Sequence, residues 1–141
     1  MQDRPTLLEL LAAVRDFVTR QVVPAFEGGK QFHARVAANV LAIAERELCL
    51  DDEQLRAEWT RLRALCTPVD DDVADDDAPP PDATVLRAAV GALTAELAAR
   101  VRNGDADAGP FHAAVLAHLR ATAIEKLRVA NPGYLTETGR S

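Results

Sequence analysis

Cysteine, serine and aromatic residues are scarce in this chain: 141 residues hold two cysteines, one tryptophan, one tyrosine and four phenylalanines, and the sole serine is Ser141. Each scarcity excludes something. Cys49 and Cys66 lie seventeen apart with no Cys-x-x-Cys pair, and three histidines are too few to complete a structural zinc site. If the two thiols stand at the far ends of consecutive antiparallel helices, about 20 Å separates them, too far for a disulfide. Both are read as small core hydrophobes. No serine stands in a nucleophile elbow, and neither Gly-x-Gly-x-x-Gly nor a P-loop occurs. No apolar run approaches the ~20 residues of a membrane helix. The opening Met1-Gln2-Asp3-Arg4-Pro5 leads into Leu-Leu-Glu rather than a secretory core, so a cytoplasmic protein is expected.

What remains is alanine and leucine, both helix formers, in a chain that is 48% hydrophobic and 27% charged. That length suits one domain with one core. The net charge of -6 is unevenly placed, because seven aspartates and no basic residue lie between Thr67 and Asp82. Elsewhere the chain is close to neutral, with basic residues scattered among acidic ones. That pattern argues against a nucleic-acid footprint, which needs clustered Lys and Arg.

Hydrophobic spacing predicts an all-α fold, an antiparallel bundle of about five helices with a disordered acidic loop at 67–82 between helices three and four. Thr6-Leu7-Leu8-Glu9 is a capping box, followed by Leu7, Leu10, Leu11, Val14, Phe17, Val18 and Val22, and Pro24 with Gly28-Gly29 ends or kinks that helix. The second helix, about 31–50, has an apolar arc through Phe32, Val36, Ala37, Val40, Leu41, Ile43, Ala44 and Leu48, wide enough for a central helix. Asp51-Asp52 should cap a third, with Leu55, Trp59, Leu62, Leu65 and Cys66 inward and Glu58, Arg61 and Arg63 in water. The short connection predicts a hairpin between these two. Residues 67–82, rich in Pro and Asp, read as a flexible linker. Thr84 should cap a fourth helix through Arg102, with Leu86, Val90, Leu93, Leu97 and Val101 inward and Asn103-Gly104 as its stop. Gly109-Pro110 opens a fifth, with Phe111, Val115, Leu116, Leu119, Ala123 and Leu127 buried and Asn131-Pro132-Gly133 as its stop.

Among polar residues, Arg35, Asn39 and Arg46 fall within about 40° of one another on the second helix, a ridge able to hold a carboxylate or phosphate by charge-assisted hydrogen bonds. Interhelical ion pairing is the ordinary alternative. His33 sits in that helix's first turn, where a structural hydrogen bond competes with a ligand role. His112 and His118, six apart, do not share a face, so no metal and no cofactor is expected. His118, Thr122 and Glu125 do share one, read as an ordinary amphipathic edge for want of a nucleophile. Lys126 and Arg120 are a further candidate anion pair.

Two stretches carry a resemblance: Phe32-His33-Ala34-Arg35-Val36-Ala37-Ala38-Asn39 running into Glu45-Arg46-Glu47-Leu48, and Ala117-His118-Leu119-Arg120-Ala121-Thr122 running into Lys126-Leu127 and Asn131-Pro132-Gly133-Tyr134-Leu135. With the Pro5-Thr6 opening they resemble a bacterial family of short helical proteins classed as a domain of unknown function. Its members are commonly encoded beside acyl-CoA dehydrogenases and phosphotransferase-like kinases, and sometimes fused to the latter. The resemblance implies a metabolic neighbourhood rather than a reaction, and places any site at His33, Arg35, Asn39, Arg120, Lys126 and Asn131.

The leading expectation is therefore a non-catalytic accessory or interaction protein that binds a partner enzyme of acyl-CoA metabolism, or a second copy, through an apolar helix face. The competing one is a small-ligand protein that clamps phosphate, carboxylate or CoA with the Arg35–Arg46 ridge and Lys126. A regulator of a kinase-like protein is the third.

Overall fold

A computed structural model describes residues 4–67 and 78–137. Every regular element among the described residues is helical. The expected acidic loop falls mainly at 68–77, outside the described residues. The chain divides into two compact units, Met1–Leu50 and Asp51–Ser141.

In the first unit, α1 (Leu7–Phe17) opens on the expected capping box: Thr6 Oγ1 accepts from the Glu9 amide at 3.2 Å, and Glu9 Oε2 accepts from the Thr6 amide at 2.7 Å. The helix then widens into a π-helical turn, Val18–Val22, where the Val23 amide donates to the Val18 carbonyl five residues back. Pro24 accounts for this. It has no amide to donate and its ring crowds the carbonyl four residues back, which a wider turn relieves. The helical path ends with α2 (Val23–Ala25), after which Phe26 is extended. Gly28, at φ 57°, makes the reversal that a side chain would oppose.

The next element, α3 (Gly28–Cys66), corrects the expected hairpin. It is one unbroken helix of 39 residues. No glycine or proline follows Gly29 within it. Asp51 and Asp52 find partners without ending the helix: Asp52 Oδ2 accepts from Arg56 Nε at 2.9 Å, one turn on, and Asp51 pairs with Arg87. Cys49 and Cys66 therefore lie on the same helix rather than on two antiparallel ones. Cys66 is buried as expected, and Cys49 is exposed.

Residues 28–50 of α3 belong to the first unit, where Arg15 Nε donates to Glu45 Oε1 at 2.9 Å and Gln31 Nε2 donates to the Val23 carbonyl at 3.2 Å. Ala34 is the one buried hydrophobic among this unit's described residues. Its small side chain suits close helix approach.

The second unit holds the main core: Leu55, Trp59, Leu62 and Cys66 from α3, Leu86, Val90 and Leu97 from α4 (Ala83–Arg102), and Val115 from α5 (Gly109–Ala130). Asp82, not Thr84, caps α4, its Oδ1 accepting from the Thr84 and Val85 amides at 2.9 Å each. Thr84 already lies inside the first turn. Arg100 ties three elements together: Nη1 donates to the Leu65 carbonyl at 2.6 Å, Nε pairs with Asp105, and the guanidinium lies 4.0 Å from the Phe111 ring centroid. It thus satisfies a carbonyl of the last turn of α3. The turn before α5 uses Gly104, at φ 91°, as the sequence indicated. Asn131 ends α5 but does not end helix, since α6 (Pro132–Glu137) follows at once.

Candidate functional site

On α5 the buried stripe is not the one hydrophobicity alone selects. Leu116 and Leu119 are exposed, whereas His118 is 6% exposed and Val115 and Val129 are buried with it. The inward line runs through Val115, His118, Thr122, Glu125 and Val129, about 90° around the helix from the expected one. Its polar members sit at i, i+4 and i+7.

A matching polar row on α3, Gln54, Glu58 and Arg61, has the same spacing and is half-buried rather than in water. Arg61 grips Glu125 with two bonds, Nη1 to Oε1 at 2.9 Å and Nη2 to Oε2 at 2.5 Å, and Gln54 Nε2 donates to the Glu125 carbonyl at 3.2 Å. This planar, bidentate pairing is specific to arginine. It explains the rotation of α5: turning Leu116 and Leu119 inward would carry Glu125 away from Arg61. Burial pushes the His118 imidazole below its ordinary pKa, and the Arg61 cation adds to that, against smaller opposing pulls from Glu58 and Glu125. A neutral ring is favoured.

Three buried atoms of this seam, Arg61 Nε, His118 Nδ1 and Thr122 Oγ1, have no hydrogen-bond partner. Each such group costs about 1–3 kcal/mol relative to a satisfied one. The seam is therefore better suited to fixing the α3–α5 register than to adding stability. Among the described residues no cluster of three His, Cys, Asp or Glu has metal-binding geometry.

The first unit departs from the ordinary pattern in the opposite sense. Ten of the fifteen large hydrophobics that remain exposed among the described residues lie between Leu7 and Leu48. On α3, Phe32, Val36 and Val40 are 62%, 44% and 56% exposed, a ridge at i, i+4 and i+8 that the sequence marked for burial. Gln31 and Glu45 face α2 and α1, and the ridge centre lies about 160° around the helix from them. On α1, Leu7, Leu10, Val14 and Phe17 form a second exposed arc.

The candidate binding residues separate by unit. Arg35 and Asn39 are exposed on α3, and Arg46, half-buried on the same side of that helix, has interactions of its own. His33 is exposed with its ring edge-on to Phe32, centroids 5.7 Å apart. In the second unit Arg120 and Lys126 are exposed on α5, six residues and so about 120° apart around the axis. Asn131 is the C-cap of α5, its amide donating to the Leu127 carbonyl at 2.8 Å and its carbonyl accepting from the Tyr134 amide at 3.2 Å. The structure thus groups Arg35, Asn39 and Arg46, but does not group Arg120 with Lys126. Arg61 is the polar residue sequence reasoning missed. Its signal was the i, i+4, i+7 polar row it shares with Gln54 and Glu58, the counterpart of the row noticed on α5.

Fold and site together describe an all-helical protein with an apolar ridge on one unit and a buried polar seam in the other. By its sequence the chain belongs to the DUF6285 family, a domain of unknown function, whose family model matches residues 24–134. Nothing among curated proteins or solved structures matches the chain.

Proposed function

We propose that this chain is a non-catalytic interaction protein of the cytoplasm, whose first unit docks on a partner enzyme of acyl-CoA metabolism. The observation that carries the reading is the set of ten exposed large hydrophobics in residues 7–48, in a unit with Ala34 as its buried hydrophobic. Exposed apolar surface on this scale marks an interaction site. The choice of enzyme rests on the sequence resemblance, which extends over both units, and we treat 1–141 as one functional domain. The core shared by α3, α4 and α5 lies within residues 51–141.

The test mixes the purified chain with acyl-CoA dehydrogenases from its own host and measures binding by calorimetry. Wild type binds one of them, and Leu10→Asp/Phe17→Asp, which alters exposed positions on α1, lowers the affinity at least tenfold with helicity unchanged. No binding by wild type to any of them overturns the reading; binding to a kinase-like protein instead would make the chain that protein's regulator.

A second reading has one observation in its favour: Arg35 is exposed and makes no ion pair among the described residues. On it, Arg35, Asn39 and Arg46 hold a phosphate, carboxylate or CoA group, with His33 at the edge of the ridge and Arg120, Lys126 and Asn131 as separate candidates on the second unit. A thermal shift with CoA or inorganic phosphate that disappears in Arg35→Ala supports this reading, and a shift that survives in that variant removes it.

A further inference from the structure

We propose that α5 is an acid-released latch: when His118 takes up a proton, α5 leaves α3 while α4 stays docked. The inference goes beyond the interaction reading above, since it concerns the second unit and requires no partner.

The two helices are held to α3 in different ways. Bonds tie α4 to it along its length: Arg87 pairs with Asp51 near one end, Arg100 Nη1 donates to the Leu65 carbonyl at the other, and Cys66 Sγ donates to the Leu93 carbonyl at 3.6 Å between them. Three α4 side chains, Leu86, Val90 and Leu97, are buried in the core. From α5 the same core takes one buried side chain, Val115. Its bonds to Arg61 and Gln54 of α3 both end on a single residue, Glu125. Loosening the polar seam therefore weakens the attachment of α5 far more than that of α4.

The register of the seam puts His118 at its sensitive point. Gln54 meets the Glu125 carbonyl, and Leu65, further along α3, shares Arg100 with Phe111 at the start of α5, so advancing along α3 means retreating along α5. Arg61 is seven residues on from Gln54 and His118 seven back from Glu125, which sets the two level across the seam. The imidazole is 6% exposed and its Nδ1 has no hydrogen-bond partner. An imidazolium donates from both nitrogens, so a protonated ring here would bury a charged donor without an acceptor.

Among the described residues the charged groups acting on His118 are Arg61 and Glu58 from α3 and Glu125 from its own helix, with none from α4. Glu125 already gives both oxygens to Arg61. Burial and then the Arg61 cation hold the packed ring neutral against the pull of the two glutamates. Once α5 leaves, the ring meets water and regains its ordinary value of about 6.5. Below that pH the released state takes up a proton that the packed state refuses, so acid favours release by at most about tenfold per pH unit. Above it the ring is neutral in both states and the latch holds. Release carries Val115 out of the core and opens the apolar side chains of α3 and α4 that it covers.

Hydrogen exchange on the full chain, read by NMR at pH 7.5 and pH 5.5 and corrected for the intrinsic pH dependence of amide exchange, tests the latch. Wild-type amides from Val115 to Leu127 are expected to lose protection at the lower pH by about threefold to tenfold, while those from Leu86 to Leu97 change by less than about twofold. In His118→Gln, whose side chain is neutral at both values, the α5 loss should disappear; in Thr122→Val, which leaves the histidine in place, it should persist. Equal losses in α4 and α5 overturn the proposal, because α5 would then not separate from the rest of the unit. So does wild-type α5 protection that changes less than about twofold, or a loss that survives in His118→Gln. If His118→Gln fails to fold, the comparison of α5 with α4 in the wild-type chain decides the matter by itself.

Discussion

Residues 4–50 leave apolar side chains outside, while the unit that follows turns polar ones in. Phe32 is among the most exposed large hydrophobics and His118 is among the least exposed residues, in one chain of modest size. The two departures have different physical costs. Exposed apolar surface costs little until a partner is present to bury it, and then it drives association. Buried polar atoms without partners cost stability in the isolated chain. The first departure therefore leaves apolar surface open to solvent, and the second defines one packing between α3 and α5.

The contrast can be broken most forcefully at the core. Leu62→Ala removes a side chain with no exposure and should cost about 3 kcal/mol in urea unfolding, whereas Val36→Ala, measured in the dilute monomer, should stay within about 0.5 kcal/mol. Equal losses would mean that the ridge is part of the fold. Nearly as large is the effect expected at the seam: Glu125→Ala strands the half-buried Arg61 guanidinium and should cost about 3 kcal/mol. Replacing the seam as a whole, with Arg61→Met, His118→Leu, Thr122→Val and Glu125→Leu together, should leave stability unchanged or raise it by about 1 kcal/mol. A large loss in that fourfold variant would show that the polar seam contributes net stability rather than register.

A smaller effect follows from His118. Its pKa is lowered on folding, so above the unfolded value of about 6.5 the ring is neutral in both states and contributes no pH dependence. As pH falls below that value the unfolded chain takes up a proton that the folded chain refuses. Stability should therefore decline with acid until the folded-state pKa is passed, with a slope of at most about 1.4 kcal/mol per pH unit from this group. Comparing melts of wild type and His118→Leu between pH 8 and pH 5 isolates it, and a pH profile that does not flatten in the variant contradicts the assignment. The smallest effect is at Arg35, where Arg35→Ala should change stability by less than about 0.5 kcal/mol, as expected for an exposed side chain without an ion pair.

Much of the fold is legible in local chemistry. The Thr6–Glu9 capping box, the Pro24 disturbance, the Asn103-Gly104 stop and the Leu55–Trp59–Leu62–Cys66 stripe all follow from spacing and from the backbone demands of single residues. The hairpin expected at Asp51-Asp52 does not, because an aspartate that can cap a helix can equally stay inside one when Arg56 or Arg87 is within reach. The rotation of α5 was hidden for a related reason. Hydrophobic pattern ranks Leu116 and Leu119 above His118 and Glu125, and only the position of Arg61 on another helix reverses that order. On α3 the pattern marked Phe32, Val36 and Val40 for burial, whereas the structure leaves them exposed outside the fold, because the residues of α3 that bond to α1 and α2 lie on the other side of the helix.

The most direct test of that last claim is the thermal midpoint of the wild-type chain as a function of its own concentration, beside Val36→Glu/Val40→Glu. A ridge that lies outside the fold predicts that the variant and wild-type midpoints coincide in dilute solution. A variant midpoint well below the wild type at every concentration, with neither depending on concentration, would place the ridge inside the fold and contradict the account.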